Sequence, residues 1–91
     1  MKRWRKTISI NEIIHRDQQN TDPTYVSKVG KEIAGLVRNR TTPGEQNFEL
    51  LNAVETLEEI SPDDDDALDQ FNSALSELYD WADRERVWLG I

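Results

Sequence analysis

Leu68, Phe71, Leu75, Leu78 and Ala82 recur at alternating steps of three and four residues, and side chains at that spacing return to one face of an α-helix. A strand would need a period of two. The run therefore predicts a helix from about Pro62 to about Asp83, apolar on one side and polar on the other. Two earlier stretches repeat the pattern. Val26, Val29, Ile33, Leu36 and Val37 form one stripe ending near Asn39, while Leu50, Ala53, Val54, Leu57 and Ile60 form another, widened by Phe48 and Leu51, that stops at Ser61.

The three prolines mark where these helices begin. Each follows a residue suited to capping: Asp22-Pro23, Thr42-Pro43 and Ser61-Pro62. Proline fits the first helical position because its missing N–H would go unpaired there, and the preceding side-chain oxygen accepts from the orphan amides. Glu45 and Asp64, three residues after Thr42 and Ser61, complete variants of the capping box.

The ends read differently. Trp4, Lys6, Ile8 and Ile10 alternate with Arg3, Arg5, Thr7 and Ser9, a strand-like period, and the run from Arg86 to Ile91 is a second short extended piece. These two can pair. A short helix opened by Ser9, with Glu12 three residues on, follows the first and buries Ile10, Ile13 and Ile14. The whole reads as one mainly α domain spanning residues 1–91, a compact bundle of three or four helices with room for a two-stranded pairing of the N- and C-terminal segments. Ninety-one residues allow one modest core and no second domain.

Composition narrows the chemistry. There is no cysteine, so disulfides and thiolate metal sites are excluded and a reducing compartment, the cytoplasm, is expected. The basic start from Met1 to Lys6 has no apolar stretch of signal-peptide length behind it, and no run of eighteen apolar residues occurs, so neither a cleaved leader nor a membrane span is expected. His15, the single histidine, has no companions for zinc or general-base work and reads as a surface residue. Gly30 and Gly35, five apart, form no phosphate-binding loop and read as permitting close helix approach. Asp63 to Asp66 lack the alternating ligands, glycine and distant glutamate of a calcium loop. They suit the positive first turn of a helix. No catalytic residue, metal site or cofactor is expected.

Charge is the feature that bears on partners. Residues 1–45 hold nine Lys/Arg against five Asp/Glu, net +4, and residues 46–91 hold two against thirteen, net −11, giving −7 overall. On the last helix Asp66, Asp69, Ser73, Ser76 and Asp80 fall opposite the apolar stripe, with Glu77 and Asp83 beside them. Glu55, Glu58 and Glu59 add carboxylates from the preceding helix. Tyr79, Trp81 and Trp88 lie among these acids, Trp81 about a quarter turn from the centre of the stripe, and an aromatic beside charge is the composition of an interface anchor. A solvated face and a core edge are the plainer explanations of the same residues.

The basic half has its own alternative. A basic strand, Lys2, Arg3, Arg5 and Lys6 running into Thr7-Ile8-Ser9-Ile10, followed by two helical segments, resembles the ribbon-helix-helix repressors over roughly residues 2–40. That resemblance implies a DNA-binding dimer with Arg3, Arg5 and Thr7 facing the bases. The chain departs from it at Arg16, Asp17, Gln18 and Gln19, which give such a dimer nothing to bury, and the acids of residues 46–91 oppose phosphate. In size, acidity, helicity and lack of cysteine the chain is similar to nuclease-toxin immunity proteins and to small phage-encoded inhibitors. The expectation is therefore a non-catalytic protein that binds and neutralises a positively charged protein, a nuclease or another nucleic-acid-handling enzyme, with Asp66, Asp69, Glu77, Asp80, Tyr79, Trp81, Glu55 and Glu59 as the contact residues. Direct nucleic-acid binding by an antitoxin-like regulator is the second reading.

Overall fold

The computed structural model describes residues 4–15 and 22–89, with the side chains of Glu12, Ile14 and His15 outside the described part. Its elements run in the order β1 (Lys6–Thr7), α1 (Ile10–His15), α2 (Pro23–Arg40), α3 (Phe48–Glu59), α4 (Ala67–Glu85) and β2 (Val87–Trp88). The molecule is thus mainly helical, and its two ends pair as expected. The pairing is parallel, with Lys6 opposite Val87 and Thr7 opposite Trp88. It continues beyond the strands through Arg5 N–H to the Arg86 carbonyl at 2.6 Å, Ile8 N–H to the Trp88 carbonyl at 2.7 Å and Asn11 N–H to the Leu89 carbonyl at 3.2 Å. The strand residues expected at Arg3, Gly90 and Ile91 lie outside the described residues, as does the segment 16–21.

One core holds these elements together. Ile8 and Ile10 enter it from the N-terminal segment, Val26, Val29, Ile33 and Val37 from α2, Leu50, Val54 and Leu57 from α3, Phe71, Leu78 and Ala82 from α4, and Val87 and Leu89 from the C-terminal segment. Each large aliphatic side chain buried in this way contributes about 1.5–3 kcal/mol. Gly30 sits where α2 crosses the end of α3: a Cβ there would lie 2.8 Å from the Leu57 carbonyl oxygen, closer than two such atoms can stand. Gly35 has no such neighbour, since nothing lies within 4 Å of the corresponding point. The close-approach reading holds for the first glycine and fails for the second.

Of the three proline-marked starts, only the first opens a helix at the proline. Asp22 caps α2 by accepting from Thr24 N–H at 2.8 Å, and Pro23 is its first residue. At Thr42-Pro43 the box forms only in part: the Glu45 carboxylate accepts from Thr42 N–H at 2.9 Å, yet Glu45 N–H turns back to the Thr42 carbonyl and the chain leaves as a turn. The reason is competition. Glu45 is drawn to Arg5 and Lys6, and Asn47 offers a fresh cap, its Oδ1 accepting from Leu50 N–H at 2.9 Å, so α3 begins at Phe48.

The aspartate run behaves similarly. Asp63 N–H donates to Ser61 Oγ at 3.2 Å and Asp66 N–H to Asp64 Oδ1 at 2.9 Å. Short acidic side chains that bond neighbouring backbone favour turns over helix interior. α4 therefore starts at Ala67, and Asp63 to Asp65 precede it instead of forming its first turn. It ends two residues later than expected, at Glu85, where Arg86 adopts a left-handed conformation (φ 57°, ψ 44°) and donates its N–H to the last carbonyls.

Candidate functional site: the outer face of α3 and α4 and the adjoining aromatic groove

The helical phase of α3 and α4 decides which acids face solvent. Leu50, Ala53, Val54 and Leu57 are buried on α3, so the opposite side carries Phe48, Asn52, Glu55 and Glu59, all exposed. Phe48 was expected to widen the buried stripe, but it stands 200° from Leu50 at 100° per residue and is 87% exposed. On α4 the buried residues are Ala67, Phe71, Ala74, Leu78, Trp81 and Ala82. That stripe is turned by roughly 50° toward α3 from the one centred on Leu75, which leaves Leu68 exposed and takes Trp81 in.

Trp81 is consequently removed from the partner surface. Its side chain is 1% exposed, and its indole Nε1 is a buried donor with no hydrogen-bond acceptor. Tyr79 remains exposed, as do Asp66 at the N-cap of α4 and Asp69 and Asp80, which lie on the exposed side of α4 with Ser73 and Ser76. Glu77 is half-buried and engaged, its Oε2 accepting from Asn52 Nδ2 at 3.0 Å across the two helices. Glu49 pairs with Arg84 on the same seam. These two contacts fix an antiparallel register that sets Glu55 alongside the segment from Ala74 to Leu78 and Glu59 alongside that from Gln70 to Ala74. The acids of the two helices thus share one outer face.

The cations of the basic half are largely spoken for. Arg38 grips Glu58 in a two-pronged pair, Nε to Oε2 at 2.9 Å and Nη2 to Oε1 at 2.8 Å, joining α2 to α3. This pairing holds the Glu58 carboxyl below its usual range. Arg5 and Lys6 both bind Glu45, with Lys6 Nζ at 2.7 Å, and Lys6 also donates to the Arg40 carbonyl at 2.8 Å. Burial opposes ionisation of Glu45, but the bonds from Lys6, Thr42 and Arg5 outweigh it and hold the carboxyl down at about 2. Lys31 Nζ reaches Ser27 Oγ at 2.9 Å, and that hydroxyl donates to the Ile60 carbonyl at 2.7 Å, securing the end of α3. By contrast Glu55, Glu59, Asp66, Asp69 and Asp80 form no ion pair among the described residues.

The second reading concerns the N-terminal strand. β1 pairs along one edge with β2 of the same chain, and Arg5 is tied through Nε to the Glu85 carbonyl at 3.2 Å as well as to Glu45. Arg3, the other base-facing residue expected, lies outside the described residues.

A groove that no sequence motif announced adjoins the acidic face. Trp4, Asn11, Tyr79, Ala82, Asp83, Val87, Trp88 and Leu89 enclose about 330 Å³. Ala82, Val87 and Leu89 are buried and make its floor, while Trp4, Tyr79 and Trp88, at 37%, 40% and 40% exposed, make its walls. The two indoles are 5.1 Å apart at 54°. Tyr79 Oη donates to Asn11 Oδ1 at 2.6 Å, and partial burial pushes its phenol above the ordinary value. Asp83 belongs both to this groove and to an open notch with Glu49, Asp80 and Arg84. The aromatic walls and the acidic face are therefore one continuous surface.

Among the described residues no cluster of three or more potential metal ligands occurs, and no helix is long and apolar enough to cross a membrane. The chain matches no protein-family model, no curated protein and no solved structure.

Proposed function

We propose that this protein is a stoichiometric binding protein whose outer α3–α4 face docks onto a positively charged protein, the substrate cleft of a nuclease or another nucleic-acid-handling enzyme, and inhibits it by occlusion. The observation that carries the reading is the sorting of charge: Glu55, Glu59, Asp66, Asp69 and Asp80 are exposed on two adjacent helices and unpaired among the described residues, while the described Arg5, Lys6, Arg38 and Arg84 are engaged elsewhere. A field of one sign concentrated on one face accelerates encounter with the opposite sign and repels nucleic acid itself. In this mechanism the carboxylates stand where phosphates would, and no bond is made or broken by this chain. The protein works in the cytoplasm, where such enzymes meet their substrate.

The test is charge reversal at the exposed positions. Asp69→Lys/Asp80→Lys leaves the thermal midpoint nearly unchanged, since surface substitutions of this kind alter stability by about 0.5 kcal/mol. It abolishes capture of basic nucleic-acid-handling proteins from the native cell, and with the purified partner it slows association at low salt by about tenfold or more. Capture of the same partners at the same yield by the double variant would show that this face is not the docking surface.

A further inference from the structure

We infer that the groove between the N-terminal strand and α4 seats an arginine side chain of the basic partner, an assignment that rests on the α3–α4 face being the docking surface. The walls are the first reason. A guanidinium is planar, weakly hydrated and stacks on aromatic faces, whereas an ammonium keeps its water more tightly. Trp4 and Trp88 present two tilted indoles at 5.1 Å, and Tyr79 adds a third ring to the lining. Their partial exposure leaves ring surface open to a ligand.

Position and charge supply the second reason. Asp83 lines both the groove and the notch formed by Glu49, Asp80 and Arg84, so the groove opens directly onto the acidic face along which a basic side chain is steered. An uncharged apolar anchor would fill the same volume but gain nothing from that field. The floor of Ala82, Val87 and Leu89 accommodates the aliphatic stem of arginine, and the rim meets its head. The third feature is rigidity. Tyr79 is fixed by its bond to Asn11 and Trp88 by strand pairing, so the walls stand ready before the partner arrives.

The groove can be tested without the partner. The three indole N–H resonances are followed by NMR while acetyl-Gly-Arg-Gly-amide is added, with the corresponding Lys and Leu peptides as comparisons. The Trp4 and Trp88 signals move saturably with the Arg peptide, at least about threefold further than with the Lys peptide at equal concentration, and buried Trp81 stays still. Tyr79→Ala reduces the response severalfold, while an unmoved Trp81 signal shows that the fold persists. An Arg peptide that shifts nothing, a Leu or Lys peptide that matches it, or a Tyr79→Ala protein that responds in full overturns the assignment. A single-arginine peptide needs little steering, so Asp69→Lys/Asp80→Lys binds it as wild type does. Loss of peptide binding with partner capture intact therefore removes the groove assignment alone, and loss of capture with peptide binding intact removes the docking face alone.

Discussion

Replacing Glu45 by Gln isolates the charge that ties the N-terminal strand to the helical body. The wild-type carboxylate receives Lys6 Nζ, the Thr42 amide and the Thr42 hydroxyl on Oε1 and Arg5 on Oε2. Glutamine keeps the shape and one acceptor but turns an NH2 group toward one of the cations. With the folded carboxyl held at about 2 against an ordinary 4.5, linkage gives a ceiling of about 3 kcal/mol. The side chain is only 11% exposed, but Arg5 and Lys6 reach solvent, and screening there lowers the expected loss to about 1–2 kcal/mol. For a domain of this size that is a fall in thermal midpoint of roughly 5–15 °C. Because the folded value is depressed, the wild-type advantage is fully present above the unfolded carboxyl range and is lost as pH falls from about 4.5 toward 2. Urea unfolding of both proteins, followed by circular dichroism at pH 7, 5.5, 3.5 and 2.5, gives the difference directly. A difference that is zero at pH 7, or that persists undiminished at pH 2.5, refutes an electrostatic clamp.

Two packing predictions follow from the core. Gly30→Ala destabilises by about 1–3 kcal/mol, because a Cβ at 2.8 Å from the Leu57 carbonyl forces two helices apart, while Gly35→Ala, in the same helix with open space around it, stabilises by about 0.5–1 kcal/mol; opposite signs in thermal unfolding are the check. Trp81→Phe changes stability by no more than about 1 kcal/mol, since loss of ring volume is offset by removing an unbonded buried N–H, whereas Trp81→Ala costs about 3–5 kcal/mol, both measured by denaturant titration.

How far the sequence speaks depends on whether its signals are local. α2 is legible because Asp22-Pro23 and the stripe from Val26 to Val37 agree on one helix. The two other proline signals mislead because a capping residue, a proline and an acid describe a turn as well as a helix start, and which forms is settled elsewhere. Glu45 keeps its bond to the Thr42 amide but also holds Lys6 and Arg5, 39 and 40 residues away, while its own N–H closes a turn on the Thr42 carbonyl. Trp81 lies on the flank of the apolar stripe, and only the position of α3 decides that it turns inward. The acidic residues on the polar side of α4 were readable from phase alone, but the engagement of Glu77 by Asn52 was not. The groove was half-visible: Trp4 and Trp88 fall on two runs predicted to pair, but the register sets Trp88 opposite Thr7, so the approach of the two indoles to 5.1 Å is not read from the pairing.

The distribution of ion pairs also bears on why the acidic face is costly to the isolated protein. Cations sit where elements must be joined: Arg5 and Lys6 hold strand to turn, Arg38 holds α2 to α3, and Arg84 holds α3 to α4. On the outer side of α4, Asp80 and Asp83 are three residues apart, as are Asp66 and Asp69. Like charges at that spacing oppose each other by about 0.2–0.5 kcal/mol per pair. Capping does not explain the arrangement, since Asp80 and Asp83 lie at the negative C-terminal end of the helix, where a carboxylate is disfavoured. In the proposed complex, a basic partner laid across this face would relieve that repulsion. Binding and stability would then be linked, with part of the affinity coming from relief of repulsion present in the free protein.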